Sequence, residues 1–600
     1  STSVPPASTA THRRALTLAC LAVLLAAADT YVVVLVLPNI MGSVGLTTDQ
    51  LQKATPIVSG FLLGYVALLP LVGRLSDLYG RRPVLVACLV GFAAGSAVTA
   101  GSHDLAAIVI GRFLQGLGGG GLVPVTLALV ADLWPADRRS LPLGVVGAVQ
   151  ELGSLLGPLY GAALVAAGGW RTIFWVNLAA GVALAALIPS TDAARGPVRR
   201  PRDLAGSALL ALSCAGGLVL LLQPPALAES VRYGDLVVPL TRGHWWSAGT
   251  EPLALATLAA AVLLALRLLS TAHPLVPVRR LPALLGSADF AGALLLAGAL
   301  GCVIVMFSAT DPTRHALATG WPWLSAAAVV LTGALVCRER SAPAPLLDRA
   351  ALANPVAIGA MLTSLAVGAG LIVALVDVPL FARATRFPDS QLDAALVLVR
   401  FLVGVPVGAV VGGAVAERLG YRLTASTGMA IATGGFVAMA GWASDALPAH
   451  GLAMSDVALV GCGLGFGLAI APVNAAALRA VPARVHGLAG ALVVLARTVG
   501  MLVGISALTA LGLRAFSRSL TSLGTPDRLC PATPTSCPAW DHAAKAALVH
   551  ELHVIFAGAA GCTAAAAVLA GLTLRRGGPA ALRAGSGHPA RRSGRPRLSP

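Results

Sequence analysis

Charge is scarce in this sequence. Only 11% of its 600 residues are Asp, Glu, Lys or Arg, while 57% are hydrophobic. Lysine is confined to Lys53 and Lys545, and aromatic side chains make up only 5%. So little charge excludes a soluble globular chain, because the polar surface cannot cover so much apolar content. Metal-ligand spacing is missing as well: the nine cysteines lie mostly inside apolar runs and form no zinc or cluster pattern. A phosphate-cradling loop is also missing. Gly116 to Gly121 is glycine-rich, but no Gly-Lys-Ser/Thr follows it, which argues against ATP as the energy source. No nucleophile–base pair or metal constellation points to an enzyme. The net charge of +17 would suit nucleic acid, yet most arginines gather in short loops and tails on one side, the positive-inside distribution.

Long hydrophobic runs are what the sequence has in abundance, with a mean hydropathy of +0.83. Runs of roughly 20 residues are the mark of a polytopic helical membrane protein. A polar lead, 1–14, precedes a run at 15–41. Ala26-Ala27-Ala28 resembles a cleavage site, but the run continues apolar past it and carries Asp29, so a first spanning helix is expected rather than a signal peptide. Runs at 54–72, 83–101, 106–131, 141–166 and 171–189 complete a first set of six within 15–190. Four more, at 204–223, 252–270, 286–309 and 320–337, lie in a linker segment, 191–354. Six follow at 355–382, 392–416, 422–443, 455–480, 486–512 and 551–575, within 355–576, and a basic tail occupies 577–600. The expectation is an all-α fold of sixteen helices, six, four and six, with fourteen as the alternative, both termini cytoplasmic in the cell membrane. Within the linker, Asp203-Leu204-Ala205-Gly206-Ser207-Ala208-Leu209-Leu210 and Asp289-Phe290-Ala291-Gly292-Ala293-Leu294-Leu295-Leu296 open two runs alike, and Pro274-Leu275-Val276-Pro277 and Pro345-Leu346-Leu347-Asp348 follow each pair, which reads as a duplicated helical hairpin.

Between two long apolar runs lies a charged, glycine-bearing loop, Gly73-Arg74-Leu75-Ser76-Asp77-Leu78-Tyr79-Gly80-Arg81-Arg82. Gly73 and Gly80 permit close approach and a sharp turn. Arg81 and Arg82 hold the loop on the cytoplasmic side, and Asp77 is a lone carboxylate suited to the positive N-terminus of another helix. A degenerate echo follows the second run of the last set, Gly413-Ala414-Val415-Ala416-Glu417-Arg418-Leu419-Gly420. This pattern resembles the signature loop of the major facilitator superfamily. The resemblance implies two parallel six-helix halves with a substrate site between them near the midplane. Gly153, Gly157, Pro158 and Gly161 spell G-x-x-x-G-P-x-x-G, similar to the helix-5 motif of the superfamily's exporters. Small residues at that spacing also let helices pack closely. Arg112 with Gln115-Gly116 resembles the R-x-x-Q-G pattern of its drug/proton antiporters, whose familiar branch has fourteen helices.

A nearer resemblance, to the mycobacterial lipid-exporting transporters that work with a periplasmic lipoprotein, rests on several stretches. They are Asp29-Thr30-Tyr31, Gln150-Glu151-Leu152-Gly153, Val376-Asp377-Val378, Arg479-Ala480-Val481-Pro482 and Arg497-Thr498-Val499-Gly500. It implies export of triacylglycerol-type lipid to an outer acceptor, with the bilayer and a lipoprotein as partners. That family has a long extension projecting outward between two C-half helices; the stretch matched to it, Ser444 to Asp456, is shorter.

Ionisable residues inside apolar runs each cost about 2.5–3.5 kcal/mol on insertion scales, so they ask for a reason. Asp29 and Glu151 suit proton coupling; the other reading is static ion pairs with Arg112, Arg400 or Arg497. Asp377 is expected near the outer end of its helix, as a solvated mouth residue or a functional one. Arg479 is expected at the inner boundary, in a gating ion pair or at the interface. Cys530 and Cys537 are spaced to close a small disulfide loop on an oxidising exterior, with two free thiols as the alternative. His542, His550 and His553 read as surface histidines. The expected function is a proton-coupled exporter of lipophilic substrates, needing no cofactor beyond the proton gradient. A multidrug/proton antiporter is the main alternative, and a small-solute importer or a non-transporting envelope adaptor a lesser one.

Overall fold

In the computed structural model of the chain, the described residues are 9–46, 51–135, 138–188, 203–222, 252–271, 289–308, 320–342, 345–387, 391–447, 453–523 and 538–574. Among them the structure is helical, without strands. The first set is α1 (Thr9–Ser43), α2 (Leu51–Ala67), α3 (Leu69–Tyr79), α4 (Arg81–Gly101), α5 (Leu105–Leu133), α6 (Ser140–Gly168) and α7 (Trp170–Leu187). The linker holds α8 (Leu204–Leu222), α9 (Pro252–Ser270), α10 (Phe290–Ser308), α11 (Trp321–Ser341) and the single turn α12 (Arg349–Leu352). The last set is α13 (Pro355–Thr385), α14 (Gln391–Leu419), α15 (Tyr421–Ala440), α16 (Met454–Arg479), α17 (His486–Leu523) and α18 (Pro538–Thr573). α2 and α3 form one span broken at Leu68, where Pro70 lacks the N–H that would continue the ladder. Counting them together, sixteen long helical segments run six, four and six among the described residues. Eleven helices among the described residues are long and apolar enough to cross a membrane.

Each set of six packs as its own bundle, α4 on α5 and α1 on α6 in the first, α14 on α16 and α15 on α18 in the second. The bundles meet through α3 against α17 and α6 against α14, whereas α1 and α13, the first helix of each, are not packed together. The halves are therefore joined at the signature-loop end. In the linker, α8 pairs with α9 and α10 with α11. The two hairpins are clamped alike. Asp203 accepts from the Gly206 amide at 2.8 Å and from Arg267 Nε, at the end of α9, at 2.8 Å. Asp289 accepts from the Gly292 amide at 3.1 Å and from Arg338 Nε, at the end of α11, at 2.7 Å. The Gly206 amide and the Arg267 guanidinium hold the Asp203 carboxyl below the usual carboxylate range.

α17 and α18 are the longest helices, at 38 and 36 residues, nearly twice the roughly 20 that span a bilayer core. α17 starts at the signature-loop end, so its surplus and the start of α18 project from the opposite end. Of the stretch Ser444 to Asp456, residues 448–452 lie outside the described residues. Cys530, Cys537 and the basic tail lie outside the described residues.

Candidate functional site

The first half contains a buried polar network. Asp29 on α1 is 0% exposed and Arg112 on α5 is 1% exposed. Arg112 Nη1 donates to Asp29 Oδ2 at 2.6 Å and to Gln115 Oε1 at 2.7 Å. Asn177 Nδ2, from α7, donates to Asp29 Oδ1 at 2.6 Å. Gln115 Nε2 donates to Ser96 Oγ on α4 at 2.9 Å, and Tyr160 Oη to Asn177 Oδ1 at 3.1 Å. The Arg112 guanidinium stacks over the Phe61 ring, 4.2 Å from its centroid. Asp29 thus has a charged partner and an amide partner in its own half, which is what a carboxylate in a low-dielectric interior needs. Asn177 was missed by the sequence reading; an amide inside an otherwise apolar run was the available signal.

The glycines of the fifth-span motif hold α1 against α6 around this network. A Cβ at Gly153 would lie 2.8 Å from the Leu24 carbonyl, one at Gly157 would overlap the Ala28 carbonyl, and one at Gly161 would overlap Val32. Pro158 lies within the same continuous helix.

Glu151, one residue beyond Gln150 on α6, is placed differently. It is 5% exposed, and no hydrogen bond reaches it among the described residues. Arg497 of α17, in the other half, is the cation whose field acts on it. Arg497 Nη2 donates to Gln150 Oε1 at 3.1 Å, so this polar contact crosses between the halves. Arg497 also lines a cavity of about 10 Å³ with Ser364, Val367, Ile470, Val473 and Asn474, room for about one water. Arg400 is not in this group: it pairs with Asp456 at 2.9 Å, both in the second half.

Asp377 is 3% exposed, so it is not a solvated mouth residue. Its Oδ2 has no hydrogen-bond partner, and Glu551 of α18, 8% exposed, is close enough to repel its charge. Replacing one unpartnered buried carboxylate by a similar apolar volume removes desolvation cost without orphaning a cation. Asp377→Leu is expected to gain about 1–3 kcal/mol of stability, read as a raised melting temperature in detergent. A lowered one would mean a partner essential to the fold. Arg479 is exposed, its guanidinium 5.9 Å from the Tyr421 ring centroid. His553 is only partly exposed and packs 6.1 Å from Phe381, correcting its reading as a surface histidine; His542 and His550 are exposed.

At the signature-loop end, the Asp77 carboxylate accepts from the backbone amides of Gly487 at 2.8 Å and Leu488 at 3.0 Å, capping the N-terminus of α17 across the two halves. Arg81 Nη1 pairs with Asp77 and donates to Ser76 Oγ at 2.9 Å, while its Nε donates to Asp132 Oδ2 at 2.9 Å. His486 Nδ1 lies 3.8 Å from Asp132 Oδ1. Gly73 faces Gly487, where a Cβ would come within 2.5 Å of the Gly487 carbonyl. Gly80, at φ +93°, is the one residue between α3 and α4. Arg82 is half-buried on the first turn of α4. The echo is built in register: Gly420, at φ +87°, separates α14 from α15, a Cβ at Gly413 would lie 2.6 Å from the Ser140 carbonyl, and Glu417 accepts from the Leu141 amide at 3.2 Å. Each half's loop acid therefore contacts the start of the other half's fifth span. Beside Leu141, Arg139 is 6% exposed with Nε and Nη1 unpartnered, and burial pushes its guanidinium below the usual arginine range. Among the described residues no group of three or more His, Cys, Asp or Glu could hold a metal.

Several known proteins are similar to this chain. The triacylglyceride transporter of Mycolicibacterium smegmatis is 38% identical over 514 residues, 84% of this chain and 76% of that one. The triacylglyceride transporter of Mycobacterium tuberculosis is 37% identical over 527 residues, 85% of each. A crystal structure of a double-tryptophan mutant of XylE superposes with a TM-score of 0.51 at 14% identity, covering 94% of this chain and 96% of that one, a likeness of fold alone. The Major Facilitator Superfamily model matches residues 19–505, and the chain belongs to that superfamily, in the group that holds these mycobacterial transporters.

Proposed function

We propose that the chain is a proton-driven exporter of large apolar lipids of the triacylglycerol type, working by alternating access between its two six-helix halves. The observation that carries the mechanism is Glu151, buried at the junction of the halves, unbonded, and facing Arg497 of the opposite half. Protonation removes its attraction for Arg497 and frees the halves to part; deprotonation restores it. Asp29, enclosed by Arg112 and Asn177 within one half, is the fixed member. The arginine-bearing signature loop is the cytoplasmic gate, closed here, with both termini on that side of the cell membrane. Substrate enters sideways from the bilayer, and the projecting ends of α17 and α18 are the surface for an outer lipoprotein acceptor. The lipid substrate follows the relatives' names, with the cationic drugs of a multidrug antiporter as the alternative.

The test is movement of fluorescent triacylglycerol in proteoliposomes, with and without an imposed proton gradient, beside a cationic dye. Glu151→Gln is expected to bring gradient-driven lipid movement down to the gradient-free rate while leaving the melting temperature within error. Gradient-driven movement that survives the substitution excludes this coupling site. Movement of the dye alone makes the multidrug reading the better one.

A further inference from the structure

A lipid entering sideways must pass between the halves, which share two seams, α6 against α14 and α3 against α17. The seams are not alike. At α6–α14 the helices meet directly, so that a Cβ at Gly144 would overlap the Ala409 carbonyl. At the other seam a third helix is present: α10 packs along α2, touches α3 and reaches α17. Its hold on the first half is the larger. A Cβ at Gly301 would lie 3.1 Å from Leu63 Cδ1 of α2, and Ala293 is buried with Leu71 of α3 and Leu346. Leu300 packs into the core to which α17 contributes Leu488 and Leu492, but its contact with α17 is slight.

The foot of this hairpin is fastened with the same bias. Glu339 accepts from the Leu346 and Leu347 amides, each at 3.1 Å, folding the chain back beneath α11. Asp348 then lies 3.5 Å from Arg74 Nη1 of the first half and 3.9 Å from Arg484 Nε, just before α17. The exposed hairpin α8–α9 has no comparable position; α8 lies against α4, on the flank of the first half.

We propose that the α10–α11 hairpin is a lateral seal carried by the first half. It overhangs the α3–α17 seam, stays with α2 and α3 when α17 moves away, and leaves the α6–α14 seam as the entrance for an apolar substrate. The entrance rests on the lateral-entry reading above; the seal itself rests on packing. Apolar contact resists separation in proportion to its area, so α10 parts from α17 before it parts from α2.

The test bridges α10 to α2 with Leu63→Cys and Gly301→Cys, in a background whose native cysteines are replaced by serine or alanine. Transport is followed in proteoliposomes before and after oxidation, with bridge formation read on a gel. Lipid movement is expected to be equal in the bridged and reduced states. Arrest on oxidation that a reductant reverses means α10 must swing off α2, and the seal is wrong. A photoreactive triacylglycerol analogue maps the entrance on the same protein. Adducts on α6 and α14 are expected, and adducts on α3 or α17 overturn the assignment. Reduced protein that moves no lipid counts against the lipid reading, not the seal; the bridge is then read on the dye.

Discussion

Arg112→Ala is expected to destabilise the protein by about 3–5 kcal/mol, the scale for breaking a buried ion pair by removing one partner. The cause is what it leaves behind. Asp29 would keep its charge at 0% exposure with only the Asn177 amide to compensate, Gln115 Oε1 would lose its donor, and the Phe61 ring would lose the guanidinium above it. Asp29→Asn strands the opposite charge and should cost a similar amount. The double substitution, Asp29→Asn with Arg112→Ala, removes both charges and should cost less than the sum of the two. A coupling of about 0.5–3 kcal/mol is expected for directly bonded residues. The measurement is a double-mutant cycle on thermal unfolding in detergent. Additive effects would mean that the pair does not act as one in the folded protein, and Asp29 would return as a coupling candidate.

How much of this was legible in the sequence depends on the range of the interaction. The sixteen long helical segments and the signature loop are local properties of composition and turn chemistry, and they read directly. The repeated hairpin read from a short likeness at the start of each pair, where Asp203 and Asp289 are both N-terminal acids that meet a nearby glycine amide; their arginine partners, Arg267 and Arg338, did not read. Pairing across the bundle failed for the same reason throughout. Arg400 offered itself as a partner for Asp29 or Glu151, yet it meets Asp456, a residue that becomes its neighbour only when α14 packs on α16. The projecting ends of α17 and α18 were missed because their apolar runs stop at residues 512 and 551 while the helices continue. Polar residues end a hydropathy run without ending a helix.

Gly73→Val is expected to prevent closure of the signature-loop gate. A side chain at this position has no room: the Gly487 carbonyl lies 2.5 Å and the Ala491 Cβ 2.9 Å from an added Cβ, separations that real Cβ contacts do not show. Closure would have to displace the start of α17, and with it the two amides that Asp77 caps. Asp77→Ala attacks the same contact by chemistry instead of bulk. It leaves the Gly487 and Leu488 amides without their acceptor and Arg81 with Asp132 as its remaining carboxylate. Loss of a helix cap costs about 0.5–2 kcal/mol, and about 1.4 kcal/mol is a tenfold shift between two conformers. Asp77→Ala should therefore move the open fraction by roughly twofold to thirtyfold, and Gly73→Val by more. The readout is reactivity of a cysteine placed at Ala491 toward a membrane-impermeant maleimide from the signature-loop side, with melting temperature as the control for folding. Both variants should react faster than the parent and transport more slowly, because an exporter that cannot shut one side cannot load and release in turn. Gly73→Ser, smaller than valine, should fall between the parent and valine on both measures. If reactivity stays at the parent rate in Asp77→Ala, the capped helix start is packing rather than a gate. The closed end of the molecule would then owe its closure to α6 on α14, where Glu417 is exposed and its bond to Leu141, at 3.2 Å, is the weaker of the two mirrored contacts.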